Sequence, residues 1–442
     1  MAAVISSSAF ETPNQGVLVP VTQPRVVSKG TPKIIAHRPI GANHIPDEIL
    51  LCPKLQAAIS VLPKNYNFEI HKTVHRIRQL HAGLGGARSV QVALQMPEGL
   101  LLFALTIADI LEEFSECQTI VFGDVTYGAC CIDDLGAKAL CVDLLVHYGH
   151  SCLIPIERND SLKVLYVFVD IKIDIHHLKE TVKANFSPDM RIGVVSTIQF
   201  VASVQALVEQ LKNEGFHLFC PQTKPLSPGE TLGCTSPRFS DDSDAILYVG
   251  DGRFHLEAAM IANHRLKAYK YDPYDKQLTE ELYNYEQMLS VRKDAVQKAV
   301  DAGTFGIILG TLGRQGSVKV FDELETTIRA KGKILIRLLL SEIFPQKLEL
   351  FSDVGAWVQT SCPRLSIDWG LAFKTPLLTP YELNVVLQKV EWQKNYPMDF
   401  YSRNSLGPWT PNYKPEPPKE QKRSAPQVKS PCVNFCTDCA CK

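Results

Sequence analysis

Three cysteines, Cys130, Cys234 and Cys362, lie far apart in this chain but share one local setting. Each follows a short apolar run that reads as a buried strand. Each then sits in a turn of Gly, Pro, Ser or Thr: Gly128-Ala129-Cys130, Gly233-Cys234-Thr235-Ser236-Pro237 and Ser361-Cys362-Pro363-Arg364. Strand-end loops of open parallel sheets are where α/β folds gather ligands. Three thiolates converging from three such loops suit a metal centre with one coordination position open. Cys131 adjoins the first of them, and the pair also reads as two buried thiols at a helix start. A helix N-terminus at that point would lower a thiol pKa and favour the ligating thiolate.

Two Gly-rich turns carry charge rather than sulfur. Gly250-Asp251-Gly252-Arg253 and Gly310-Thr311-Leu312-Gly313-Arg314-Gln315-Gly316 both follow apolar runs and precede helical ones. Asp251 and Arg314 could hold the ammonium and carboxylate of an amino-acid-like ligand, with Gly252 and Gly313 letting it approach and Gln315 as a further candidate contact, or both turns could be plain βα turns with solvated charges. No Lys-Ser/Thr pair follows the second turn, so it is not a Walker A loop. Gln95 and Glu98 close the first strand and could line the same cleft. His147, His150 and Cys152 form a polar cluster at another strand end, read more readily as satisfied polar groups than as ligands.

The elements that must position these residues follow from periodicity. Apolar runs of strand length alternate with amphipathic segments from Val90 almost to residue 390, the βαβ pattern of parallel sheets. Runs apolar throughout, such as Ala245 to Val249 and Ile192 to Thr197, call for helices on both faces. The fold class expected is α/β, with parallel sheets in three pseudo-repeated blocks that each carry one of the three cysteines. The boundaries are a flexible arm over 1–45, domains over 46–190, 191–302 and 303–400, and a disordered tail over 401–442. A long charged helix, Gln277 to Ala302, is expected to join the second domain to the third.

Composition narrows the classes of function. With 442 residues, 45% of them hydrophobic, the chain can bury a large core. Lys+Arg 46 against Asp+Glu 47 leaves no basic field for direct nucleic-acid binding. No apolar stretch reaches the length of a membrane span, and the N-terminus lacks a secretory pattern, its first basic residue being Arg25. A cytoplasmic location, with the nucleus as an addition, is expected. There the 13 cysteines are ligands or buried thiols rather than disulfides. Near the C-terminus, Cys432-x3-Cys436-x2-Cys439 has the spacing of a radical S-adenosylmethionine motif. Too little chain follows it to wall off a radical, so it reads as an auxiliary metal or redox tail, with zinc or simple disorder as competitors.

Taken together, GDVTYGACCIDD, HYGHSCLIP, STIQF, PLSPGETLGCTSPR, LYVGDGRFHLE, GTLGRQGS, LLLSEIFPQKL and SCPRLSIDWG resemble the eukaryotic subunit-one family of 2-(3-amino-3-carboxypropyl)histidine synthases, from diphthamide biosynthesis. The likeness spans roughly residues 45 to 410. It implies three Rossmann-like domains that each give one cysteine to a 4Fe-4S cluster, which falls on Cys130, Cys234 and Cys362. It also implies that S-adenosylmethionine, as cosubstrate, is cleaved at its γ-carbon to a 3-amino-3-carboxypropyl radical that adds to imidazole C2 of a histidine in elongation factor 2. The implied partners are a related second subunit in a heterodimer, a small iron-binding electron-donor protein and the elongation factor. Two other readings share the layout: a quinolinate-synthase-like Lewis-acid enzyme, and a scaffolding paralogue without catalysis.

Overall fold

The computed structural model describes residues 44–414, apart from 125, 150–152, 154–161 and 406. Most of the arm, residues 415–442 with the four C-terminal cysteines, and His150 and Cys152 therefore lie outside the described residues.

Among the described residues three sheets of four or five strands organise the fold, beside a two-stranded antiparallel pairing of Tyr66–Asn67 with Asp170–Ile171. The first holds β1 (Val90–Gln95), β2 (Cys117–Phe122), β3 (Leu144–Tyr148) and β4 (Lys163–Val167), in the order β2-β1-β3-β4 and parallel throughout. The second holds β5 (Ile192–Ser196), β6 (Leu218–Phe219), β7 (Ala245–Val249), β8 (Lys267–Asp272) and β9 (Gln277–Glu281), in the order β9-β8-β7-β5-β6. The third holds β10 (Thr304–Gly310), β11 (Ile334–Leu340), β12 (Ala356–Gln359) and β13 (Leu377–Leu378), in the order β11-β10-β12-β13. Each sheet places its first strand between its second and third, with the fourth beyond the third. That shared doubly wound order is the repetition expected from the sequence, and it creates a crevice beside the first strand at the carboxyl edge.

Period-2 alternation sends each strand's side chains into two separate cores. Val92 and Leu94 join one cluster and Ala93 another. Val194 and Val195 divide in the same way, as do Ile307 and Ile308. All seven are fully buried, and each large aliphatic side chain so placed contributes about 1.5–3 kcal/mol. The edge strand β11 departs from this, leaving Ile334 and Leu339 exposed. The first two sheets share one core, which runs without a seam from Leu178, Val182 and Phe186 to Ile192 and Leu207.

Two expectations need correction. The stretch Gln277–Glu281 is a strand, paired antiparallel with β8, and the charged helix spans only Tyr285–Val300. Its start is set by Asn284, whose side-chain oxygen accepts the Gln287 N–H at 3.1 Å. The stretch 401–413 is not all tail: Tyr401, Trp409 and Thr410 are buried. Trp409 packs edge-on against Tyr381, 5.3 Å between ring centroids, an apolar anchor that a composition dominated by proline and charge hides.

Candidate metal centre

Cys130 sits on a single 3-10 turn, Ala129–Cys131, between β2 and the helix Asp134–Ala139. The helix proper is capped by Asp133, whose carboxylate accepts the Gly136 N–H at 2.8 Å, so neither cysteine occupies its N-terminus. Gln95 pins the turn from β1. Its Nε2 donates to the Cys131 carbonyl at 2.9 Å, while its Oε1 accepts the Asp133 N–H at 3.2 Å and stands 3.0 Å from His147 Nδ1. The two sulfurs are 4.0 Å apart. Cys131 is lowered to about 7 by a hydrogen bond from the Cys130 thiol, with help from the Tyr127 and Gly128 backbone. Donating that bond, and being buried, holds the Cys130 thiol well above the usual range. The dipole effect expected at Cys130 is therefore absent, and its neighbour and burial raise the thiol instead. Geometry still separates the pair, because Cys130 lines a cavity whereas Cys131 is buried at 1% exposure.

Cys234 lies in a loop stitched to the second sheet. Ser196 N–H at the end of β5 donates to the Gly229 carbonyl at 2.8 Å, and Thr231 N–H returns a bond to the Ser196 carbonyl at 2.9 Å. Gly233 is required by close approach, since a Cβ there would stand 1.9 Å from the Phe254 ring. Cys362 caps the helix Pro363–Trp369 after β12, and its carbonyl accepts Gln359 Nε2 at 2.9 Å. Burial pushes Cys234 up to about 12 and Cys362 up to about 11. Each sheet supplies one of the three cysteines, but from inequivalent positions: Cys130 and Cys234 follow second strands, whereas Cys362 follows a third.

The three sulfurs line one cavity of about 660 Å³. Among the described residues, no three His, Cys, Asp or Glu side chains are gathered tightly enough for a single metal ion. Thiols spread around a cavity suit a polynuclear cluster instead, in which each thiolate binds a different iron. An all-sulfur donor set also selects iron-sulfur chemistry over hard cations.

Arg364, only 2% exposed, joins two of the cysteine loops. Its guanidinium donates to the Phe254 carbonyl (2.6 Å), Glu257 (2.6 Å), Asp368 (2.9 Å) and more distantly the Gly233 carbonyl (3.4 Å), and it lies 4.4 Å from the Phe254 ring centroid. Tyr401 closes the wall beside Cys130 and Cys234. Burial and the surrounding thiols drive its phenol far above the usual range. Sequence reading singled out neither residue. Arg364 sits inside the quoted SCPRLSIDWG block, but Tyr401 carries no local signal.

The expected ligand-contacting residues divide. Gln315 lines the cavity, as do Glu342 and His255. Gln95 lies behind the cysteine turn and serves it structurally. Glu98, Asp251 and Gly252 are exposed and outside the cavity lining. Arg314 grips Asp134 through two bonds, Nε to Oδ1 at 2.6 Å and Nη2 to Oδ2 at 2.8 Å, so its fork holds the third sheet to the first.

Gly313 makes the same junction from the backbone: its φ is +54°, and a Cβ would stand 2.4 Å from the Cys131 carbonyl oxygen. Gly313→Ala is therefore expected to cost about 1–3 kcal/mol, read as a lowered denaturant midpoint. The Asp134–Arg314 pair carries a pH signature. The Arg314 guanidinium holds the Asp134 carboxyl below the usual carboxylate range. A depressed folded-state pKa stabilises above the unfolded value of about 4 and loses that contribution as pH falls through the folded one. Denaturation at pH 7 should find Asp134→Asn less stable than the wild type, with the gap closing progressively below about pH 4. An equal gap at pH 7 and at pH 2 would contradict the assignment.

Three doubly wound sheets that each deliver a cysteine to one cavity define a thiol-lined α/β protein of a recognisable class. A family model described as "Putative diphthamide synthesis protein" matches residues 96–397. The chain is 55% identical to the human 2-(3-amino-3-carboxypropyl)histidine synthase subunit 1, over 91% of this chain and 92% of that one. It is 52% identical to its counterpart from Schizosaccharomyces pombe, over 88% and 89%. A crystal structure of Dph2 from Pyrococcus horikoshii with a 4Fe-4S cluster superposes with a TM-score of 0.60 at 27% identity, covering 74% of this chain and 92% of that one. The chain belongs to the diphthamide synthesis protein family, and the resemblance drawn from its motifs is borne out.

Proposed function

We propose that this chain is the iron-sulfur subunit of the first step of diphthamide formation. It transfers the 3-amino-3-carboxypropyl group of S-adenosylmethionine to imidazole C2 of a histidine in elongation factor 2, by a radical route. The observation that carries this reading is the convergence of Cys130, Cys234 and Cys362 on one cavity from three separate loops. Those thiolates would hold a 4Fe-4S cluster with one iron left for the cosubstrate, and when bound the cluster supplies an electron and a coordination position to the sulfonium.

The chain's own residues do the rest. Leu153, Leu232, Leu312, Ile343 and Leu365 give the cavity an apolar wall that excludes water from a reactive carbon. Gln315, Glu342 and His255 face the same space and offer hydrogen bonds to an amino-acid moiety, fixing the γ-carbon toward the incoming imidazole. In the transfer the sulfur–γ-carbon bond takes up one electron and breaks, a carbon–carbon bond forms at C2, and the adduct then loses the C2 proton together with one electron, which restores the aromatic imidazole and leaves the transfer redox-neutral overall. Methylthioadenosine is the second product.

The reading includes a related second subunit, a small iron-binding electron donor and a cytoplasmic setting. The relatives' designation as subunit 1 supports an assembly. Among the described residues no helix is long and apolar enough to cross a membrane. The test is anaerobic co-purification with the second subunit, followed by dithionite, S-adenosylmethionine and elongation factor 2. Methylthioadenosine and a matching mass gain on the factor are expected. A fully loaded cluster that releases no methylthioadenosine would overturn the radical route and favour Lewis-acid chemistry.

A further inference from the structure

The segment that follows the third sheet is built into the wall of the thiol cavity. Ser236 N–H donates to the Met398 carbonyl at 2.9 Å, and Phe400 N–H donates to the Cys234 carbonyl at 3.3 Å. Tyr401 N–H donates to the Thr235 hydroxyl at 2.9 Å, and Thr235 forms an antiparallel bridge with Asp399. Asn412 Nδ2 then holds the Tyr401 carbonyl at 2.8 Å. Both backbone groups of Tyr401 are thus committed, its ring is only 4% exposed, and it packs in the apolar cluster that contains Cys130 and Cys234. The phenol hydroxyl donates to none of the described residues, although the side chain lines the cavity.

A neutral phenol offers negatively charged sulfur one interaction, a donated hydrogen bond. We propose that the Tyr401 hydroxyl donates a hydrogen bond to a sulfur of the cluster, or of a thiolate that holds it, and thereby sets the cluster's reduction potential. This inference rests on the metal-centre reading above. Its sign is fixed: a donor to sulfur stabilises the more negative, reduced state more than the oxidised one, so it raises the potential. Backbone bonds on both sides of Tyr401 keep the ring in place when the hydroxyl is removed, which makes Tyr401→Phe a clean probe.

The full chain carrying Tyr401→Phe, purified anaerobically, should hold as much iron and sulfide as the wild type. Its one-electron midpoint should move negative, so that at a fixed potential the reduced-to-oxidised ratio falls about tenfold, equivalent to about 59 mV. In deuterium oxide, pulsed electron paramagnetic resonance of the reduced wild type should show an exchangeable deuteron coupled to the cluster, lost in the variant. An unchanged midpoint at full iron content overturns the proposal. So does a folded variant that fails to load iron, because the hydroxyl would then serve assembly rather than potential. If the variant unfolds, the wild-type deuteron measurement decides alone, and no coupling overturns the proposal. A wild type that shows no iron-sulfur signal at all overturns the metal-centre reading itself, and this inference falls with it.

Discussion

Replacing Cys130, Cys234 or Cys362 by alanine, one at a time, is expected to abolish the iron-sulfur signal and, with it, at least 10³-fold of the transfer rate, on the order of 4 kcal/mol. The reasoning is one of coordination. A 4Fe-4S cluster is held by cysteine thiolates, and a site that supplies three has no spare to replace a lost one. Burial pushes Cys234 and Cys362 up to about 12 and 11, so the empty site holds neutral thiols at neutral pH, and loading must expel their protons. Reconstitution should therefore be faster at pH 8.5 than at pH 6.5. The decisive control is Cys131→Ala. Its sulfur lies 4.0 Å from that of Cys130 but outside the cavity lining, so iron content and transfer should survive its loss. Iron content by chemical assay, visible absorbance and methylthioadenosine yield would read all four variants. If Cys131→Ala empties the site while Cys130→Ala does not, the first ligand has been assigned to the wrong neighbour. If Cys234→Ala leaves transfer intact in the assembled enzyme, the scaffolding reading gains its evidence.

Much of this was legible in the chain, and the rest was hidden for identifiable reasons. Ala245–Val249 and Ile192–Ser196 fall where their apolar runs place them. Such segments are long enough for burial to decide the outcome without help from distant residues. Gln277–Glu281 was hidden because its pattern is polar, and only antiparallel pairing with β8 makes it a strand. The three cysteines were visible because Gly, Pro and hydroxyl residues surround them in a way packing alone does not require. The roles of Arg314 and Gln95 stayed open because a charged or amide side chain in a Gly-rich or strand-end turn looks the same whether it awaits a ligand or grips the protein. Here Arg314 meets Asp134, a partner far off in sequence and supplied by another sheet. Tyr401 was invisible for the opposite reason: it stands at the edge of a proline- and charge-rich tract, and its role depends on a backbone pairing with Thr235.

Loss of the guanidinium in Arg364→Met should cost about 3–5 kcal/mol of stability and, at temperatures where the variant remains folded, most of the bound iron. Arg364 is buried while its carboxylate partners, Glu257 and Asp368, are only partly exposed at 23% and 25%. Methionine fills the stem's volume but leaves two partly buried carboxylates without the cation they share. Asp368 is already raised from its ordinary value, burial outweighing the pull of Arg364, so removing that pull should drive it higher and favour its protonation. The mechanical consequence falls on the metal centre. The same guanidinium holds the Phe254 carbonyl and reaches the Gly233 carbonyl, immediately before Cys234, from a helix capped by Cys362. Without it nothing in that network ties the two loops, and their sulfurs lose a fixed separation. Lysine keeps the charge but lacks the planar fork, so Arg364→Lys should recover part of the stability and little of the iron. Thermal melts and iron assays on the two variants separate the roles. Full iron retention in Arg364→Met would show that the loops hold their spacing without it. Equal recovery of iron and stability in Arg364→Lys would show that charge, not the fork that spans both loops, is what the site requires.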